Sequence, residues 1–185
     1  MSISRLYRDR TEEDGRRSFE YREAWIDPSG ELFTVHHGRV GHPGTVGDQP
    51  LTSEAEGTEL MDAFLAQGEA DGFAPADEDA FDVLEVAYRL RGRAITEIER
   101  RHGRTLREEV THQLAWRGLG EVTDVVDGDG ELVLVVRTPH APKAAAEVPA
   151  AAKRAHGIQP NKVEVRRVDA PRTPAGAAPD ADGEG

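Results

Sequence analysis

The residues best placed to do chemistry lie in positions 31–46, which read Glu-Leu-Phe-Thr-Val-His-His-Gly-Arg-Val-Gly-His-Pro-Gly-Thr-Val. An extended run, with Leu32, Thr34 and His36 on one face and Phe33, Val35 and His37 on the other, breaks at Gly38, Gly41, Pro43 and Gly44. Alternation of period two that ends in a Gly/Pro cluster predicts a strand running into a shaped turn. The turn holds one permanent cation, Arg39. A backbone free of Cβ crowding beside a guanidinium fork suits a phosphate or a carboxylate. The candidate contact residues are therefore His37, Gly38, Arg39, Gly41 and Gly44. The same arrangement suits a clamp, with Arg39 pinning the loop to a carboxylate or carbonyl of its own chain. His36, His37 and His42 invite a metal reading. Adjacent strand residues point to opposite faces, however, and a chain without cysteine has no thiolate ligand, so no metal or other cofactor is expected.

The most basic stretch holds Arg89, Arg91, Arg93, Arg100, Arg101, Arg104 and Arg107. It reads as a local anion-binding face or as a solvated helix face with Glu97, Glu99, Glu108 and Glu109 as intrahelical partners; the interspersed signs favour the second. Gly118-Leu-Gly120 is too short for a phosphate loop. Asp127-Gly-Asp-Gly130 lacks the remaining ligands of a calcium loop and reads as a hairpin turn. No Ser/His/Asp constellation and no carboxylate pair with a readable role is present, so the expectation is a protein that is not an enzyme.

The elements that must position these residues follow from periodicity. Residues 5–10 suggest a short strand. Residues 18–26 alternate, with Phe19, Tyr21, Glu23 and Trp25 on one face, a half-exposed antiparallel strand. Asp27-Pro-Ser-Gly30 is a turn, and residues 31–37 return as its hairpin partner. Ser53-Glu-Ala-Glu56 has the form of a capping box and starts a helix through Leu60 and Phe64, with Gly57 and Gly68 as weak points. Residues 83–90 alternate as a strand, although Phe81, Leu84 and Tyr88 also fit a helical stripe. A helical region begins at Ile95 and Ile98, is interrupted at Gly103 and is capped again at Thr105-Leu-Arg-Glu108. Strands at 121–126 and 132–136 flank the Asp-Gly turn. A helix at 142–155 is bent or interrupted by Pro149, and residues 162–168 form a last strand. The predicted fold is α+β: a small twisted antiparallel sheet with one helix at 1–74, a linker at 75–80, a βαββαβ ferredoxin-like module at 81–169, and a disordered tail at 170–185.

Composition bounds the partners. The 185 residues carry 23 Lys+Arg against 35 Asp+Glu, a formal charge of −12. Residues 1–74 alone hold seven basic against fifteen acidic side chains, a balance of −8. Bulk coating of nucleic acid needs a basic face and is disfavoured. No apolar run approaches a membrane span or a signal-peptide core, so the expectation is a soluble, cytoplasmic protein with no membrane partner. Arginine-rich usage with only three lysines, Lys143, Lys153 and Lys162, is the composition of a GC-rich genome.

The turn at residues 37–46, His-Gly-Arg-Val-Gly-His-Pro-Gly-Thr-Val, resembles the signature of the WGR domain family, in which Trp-Gly-Arg ends one strand and leads through Val/Ile-Gly-x-x-Gly to the next. An aromatic strand precedes it at 19–26. The helix that follows ends in Phe-Leu-Ala-Gln-Gly-Glu-Ala-Asp-Gly-Phe at 64–73, similar to the closing helix of that family. The resemblance spans about the first 74 residues and departs at His37, where the family has Trp. It implies a non-catalytic binding module that contacts a DNA end or a partner protein, with His37 and Arg39 as the contacting pair. A purely acidic protein-interaction role, and a small-ligand or enzymatic role for the C-terminal module, are the alternatives.

Overall fold

The computed structural model describes residues 3–168; the tail expected to be disordered at 170–185 lies outside the described residues. Among these, nine strands form two antiparallel sheets accompanied by three helices, an α+β architecture. The first sheet contains β1 (Ser4–Thr11), β2 (Arg17–Ile26), β3 (Leu32–Arg39), β4 (Thr45–Pro50) and β5 (Ala74–Pro75), in the order β4-β3-β2-β1-β5. The β2–β3 turn is set by Asp27, whose carboxylate accepts the backbone N–H groups of Ser29, Glu31 and Leu32. The Ser29 hydroxyl bond first, then these N–H groups, pull its carboxyl down to about 2. The boundary expected at residue 74 falls inside β5: Pro75 still pairs with Leu6.

Helix α1 (Glu54–Ala70) begins at Ser53, whose hydroxyl oxygen accepts the Glu56 N–H at 3.2 Å. The Glu56 carboxylate reaches Thr52 N and Oγ at 2.8 and 2.6 Å, one residue further back than the box form requires. Gly57 and Gly68 are the buried positions of α1 rather than its weak points. A Cβ on Gly68 would lie 2.3 Å from Leu6 Cδ1, and one on Gly57 2.8 Å from Ile26 Cδ1. The glycines let the helix approach the sheet, which offsets their lower helix propensity of about 1 kcal/mol each. Phe73 N donates back to Gly68 O at 2.9 Å, and its buried ring closes the unit.

The second sheet contains β6 (Asp82–Arg89), β7 (Glu121–Asp127), β8 (Glu131–Thr138) and β9 (Val163–Val168), ordered β7-β8-β6-β9 with every pair antiparallel. Helices α2 (Glu97–Ala115) and α3 (Ala141–Arg154) follow β6 and β8 and pack on each other. This is the split βαβ plan. The expected interruption at Gly103 and second cap at Thr105 do not occur. Helix α2 is continuous from a capping box at Thr96 and Glu99, and buried Gly103 makes room for Leu132, whose Cδ2 would lie 2.1 Å from an added Cβ. Leu106, Val110 and Leu114 form its fully buried stripe; burying such a side chain contributes on the order of 1.5–3 kcal/mol. Helix α3 runs through Pro149 because Ala144, Val148, Ala151 and Ala152 on the same stripe are buried. Their burial outweighs the lost bond. These residues share one core with Leu84, Val86, Leu134 and Val136 of the sheet, and that core extends to Tyr21 and Val40 of the first sheet. No helix among the described residues is long and apolar enough to cross a membrane.

Two outcomes follow from this fold. Gly120 has φ +84°, and a Cβ there would sit 2.0 Å from the Arg137 carbonyl oxygen, so Gly120→Ala should cost about 2 kcal/mol or more in urea unfolding. Thr96 Oγ–H and then Arg91 N–H bind the Glu99 carboxylate and lower its pKa from 4.5 to about 2. A carboxylate depressed in the folded state contributes in full above pH 4.5 and loses its contribution as pH falls toward about 2. Glu99→Gln should therefore be less stable at neutral pH and show a shallower loss of urea midpoint across that window.

Candidate functional site

Strand register sorts the side chains near the candidate turn into two faces. On one face Arg5, Glu23 and His36 form a cross-strand row, and Tyr7, Tyr21 and Gly38 form the next. On the other, Arg8, Glu20 and Arg39 lie in line, beside Leu6, Arg22 and His37. The first face meets the second module; the second carries α1 at one end and is open at the other.

The glycines of the turn serve the first face. Gly41 N donates to Arg117 O at 2.9 Å and Gly44 N to Trp116 O at 3.1 Å. Lys143 Nζ donates to Val40 O at 2.7 Å. A Cβ on Gly44 would lie 2.2 Å from Tyr21 Oη and 2.3 Å from His36 Nε2. One on Gly41, at φ +89°, would lie 2.7 Å from Lys143 Cδ. Gly38 faces the Tyr21 ring with its Cβ position 3.2 Å from Oη. The backbone donors that suited a bound anion are thus committed to the seam between the modules.

Beneath the turn runs a buried polar chain. Tyr21 Oη lies 3.0 Å from His36 Nε2, His36 Nδ1 lies 3.1 Å from Glu23 Oε2, and Arg5 Nε donates to Glu23 Oε1 at 3.1 Å. Because a carboxylate only accepts, His36 donates from Nδ1 to Glu23; in the neutral imidazole Nε2 then accepts the Tyr21 hydroxyl, which also lies 3.4 Å from Trp116 O. Trp116 stacks on the imidazole, with ring centroids 5.1 Å apart at 16°. Burial first, then the Glu23 charge, pushes the Tyr21 phenol above its ordinary range. A Tyr–His–Glu row has the form of a proton relay, but Tyr21 and His36 are only 1 and 3% exposed. Gly44 and Trp116 close over it, so it organises the seam.

His37 and Arg39 stand on the other face, both exposed. Neighbouring cations there are engaged: Arg8 donates to Glu20 at 2.6 Å and to Asp71 O at 2.7 Å, and Arg22 donates to Asp71 at 2.6 Å. Both guanidinium groups lie over the Phe73 ring, at 4.5 and 4.2 Å. The Arg22 bond, then the Gln67 amide, hold the Asp71 carboxyl below its usual range. The Arg39 side chain makes no hydrogen bond or ion pair among the described residues, so it clamps neither carboxylate nor carbonyl. It borders a shallow cavity of about 200 Å³ shared with His37, Arg22 and Phe73, and one of about 430 Å³ flanked by Glu12, Glu13 and Asp14.

Of the five candidate residues, the structure puts His37 and Arg39 together on an open face and turns Gly38, Gly41 and Gly44 inward. Trp116, Arg117 and Lys143, which hold the turn, were not foreseen. The available signal was Gly118-Leu-Gly120, which begins two residues after Trp116 and marks a helix end built for close approach. The intrahelical partners expected for the basic stretch also differ. Arg100 pairs with Asp127 and Arg93 with Asp129 of the β7–β8 hairpin, while Glu109 pairs with Arg154 of α3. Among the described residues no group of three or more His, Asp or Glu is placed to hold a metal ion.

The seam yields a contrast. Gly44→Ala should lower stability by about 2 kcal/mol or more through overpacking against two buried rings. Gly47→Ala, with nothing within 4 Å of its Cβ, should stay within about 0.5 kcal/mol. Tyr21→Phe should cost about 1–3 kcal/mol by leaving His36 Nε2 without its donor. Urea unfolding of the three variants measures all of these.

No protein-family model matches the chain, no curated protein matches it, and no solved structure matches its fold, so the reading of the site rests on its own geometry.

Proposed function

We propose that this chain is a non-catalytic recognition protein that binds a partner protein through the open face of its first sheet, with His37 and Arg39 as the contacting pair. The observation that carries this reading is the state of Arg39: an exposed guanidinium without a partner, set in a row whose other cations are fixed by Glu20, Asp71 and Phe73. A fork of this kind binds a carboxylate with two parallel bonds. His37 beside it adds a ring that stacks or donates. The likeness to the WGR turn supports the same pair.

Electrostatics favours a protein over DNA as the partner. A duplex presents a lattice of phosphates and rewards several free cations acting together. Here one is free, Arg8 and Arg22 are neutralised, and the cavity that Arg39 borders is lined by Glu12, Glu13 and Asp14 together with Arg16 and Arg17, which pair with Asp14 and Asp9. A single carboxylate on a protein surface asks for one guanidinium only.

The test pairs two measurements. Blunt and nicked duplex DNA should show no saturable binding in fluorescence anisotropy, even at low salt. A photo-crosslinker placed at residue 37 should capture a partner protein from cells that make this chain, and Arg39→Glu should reduce capture at least tenfold with an unchanged melting curve. Equal capture by the wild type and Arg39→Glu would remove Arg39 from the site. Salt-sensitive DNA binding lost in Arg39→Ala would replace the protein reading with the nucleic-acid one.

A further inference from the structure

A second concave site lies on the far side of the molecule, where the end of β6, the start of α2 and the segment after α3 converge. It is a cavity of about 280 Å³ whose lining includes Tyr88, Arg91, Ile98, His102, Gln159 and Lys162. We infer that it binds a small organic phosphate, with Arg91, Lys162 and the Tyr88 hydroxyl as the groups that hold the phosphoryl oxygens.

Tyr88 gives the first argument. Its ring belongs to the core and the residue is only 4% exposed, yet its hydroxyl makes no hydrogen bond among the described residues. No fully buried side-chain polar atom there lacks a partner, so the Tyr88 hydroxyl is the part of the residue that reaches the cavity. A phenol otherwise enclosed in apolar core, with its one polar atom open to a cavity, is placed to donate to an oxygen bound there.

Charge gives the second. Arg91 and Lys162 form no ion pair among the described residues. The one carboxylate on the lining, Glu99, is already saturated: it accepts Arg91 N at 2.8 Å, and Thr96 N and Oγ at 3.1 and 2.6 Å. Two cations, Arg91 and Lys162, against the single carboxylate of Glu99 leave the lining with a formal balance of +1 in a chain of net charge −12.

Shape gives the third. Gly157, at φ +83°, passes so close to His102 that a Cβ would lie 2.3 Å from Nε2, which fixes the imidazole in the wall. Ile98, 62% exposed, offers an apolar rim for an organic group. A phosphomonoester carries about −1.5 to −2 charges and three acceptor oxygens, which matches a guanidinium, an ammonium and a phenol better than a carboxylate with two oxygens does. The volume, about 280 Å³, lies just below the range of about 300–1,000 Å³ typical of drug-sized ligand sites, so the ligand must be small.

Titration calorimetry of the full chain with phenyl phosphate tests this, with benzoate as the carboxylate control. Saturable binding of phenyl phosphate, tighter than benzoate, is expected. It should weaken at least tenfold in the Arg91→Ala/Lys162→Ala double variant and several-fold in Tyr88→Phe, with circular dichroism melts confirming that both variants fold. Absence of saturable binding up to about 10 mM, ten times the Kd of a weak site of about 1 mM, would overturn the inference. So would binding undiminished in the double variant, or a preference for benzoate. The outcome is independent of the open face of the first sheet, since none of these residues lies there.

Discussion

The structure depends on one enclosed side chain. Tyr21 is 1% exposed and three glycines surround it: Cβ atoms on Gly44 and Gly118 would lie 2.2 and 2.3 Å from it, and one on Gly38 3.2 Å. A buried phenol must keep its hydroxyl bonded, and this one is bonded to His36, which needs Glu23, which needs Arg5. That requirement links four polar residues from three strands across two adjacent rows and fixes the register of β1, β2 and β3. It also fixes the second module. Trp116 stacks on the imidazole, and the carbonyls of Trp116 and Arg117 take the N–H groups of Gly44 and Gly41. Tyr7 reinforces the contact by donating to Gly118 O at 3.2 Å. The two sheets are therefore distinct in pairing and joined in packing.

This constraint explains why the turn has the sequence it has. A Gly-Arg-x-Gly-x-x-Gly run reads equally well as an anion cradle or as a close-packed seam, since both need backbone without Cβ. The neighbours decide between them, and the neighbours come from residues 116–118 and 143. Arg39 escapes the seam because strand alternation sends it, with His37, to the opposite face from His36 and Gly38. One stretch of sequence thus does two jobs, and the period of the strand separates them.

Much of the fold was legible from alternation and turn chemistry. The strand at 18–26 with its aromatic face, the Asp-Pro-Ser-Gly turn, the Asp-Gly hairpin and the βαββαβ order all rest on local patterns, and local forces suffice to form them. The errors share a cause. Propensity, a property of the isolated helix, makes Gly57, Gly68 and Gly103 weak points, whereas Ile26, Leu6 and Leu132 need the space those glycines leave. Thr105-x-x-Glu108 has the form of a capping box as good as Thr96-x-x-Glu99; only packing of the first turn against Arg91 and the β6 end selects the earlier one. In the site, His37 and Arg39 were legible as exposed polar residues. The partners that hold the turn were not, because contacts across more than seventy residues leave no local trace. The cavity at Tyr88 was hidden for the same reason: Tyr88, His102 and Lys162 sit on three elements that only the folded sheet and helices bring together.

The charge of the chain looks different once its pairing is known. Net acidity argues against a polyanion as a bulk partner, but a sum does not say where cations remain free. Most arginines here are spent locally: Arg5, Arg8 and Arg22 on the first sheet, Arg117 and Arg154 between α2 and α3, Arg166 on Glu131. Against that background an unpaired guanidinium costs little in stability and is available for recognition. Arg39 stands alone on an open face, suited to a single carboxylate. Arg91 and Lys162 stand together in a concave one, beside a phenol with no partner, suited to a compact dianion. Arg89, Arg101, Arg104, Arg107 and Lys153 also form no ion pair among the described residues. An acidic surface repels other acidic molecules over most of its area, so where cations without an ion pair gather in a concavity decides where an anionic ligand can dwell.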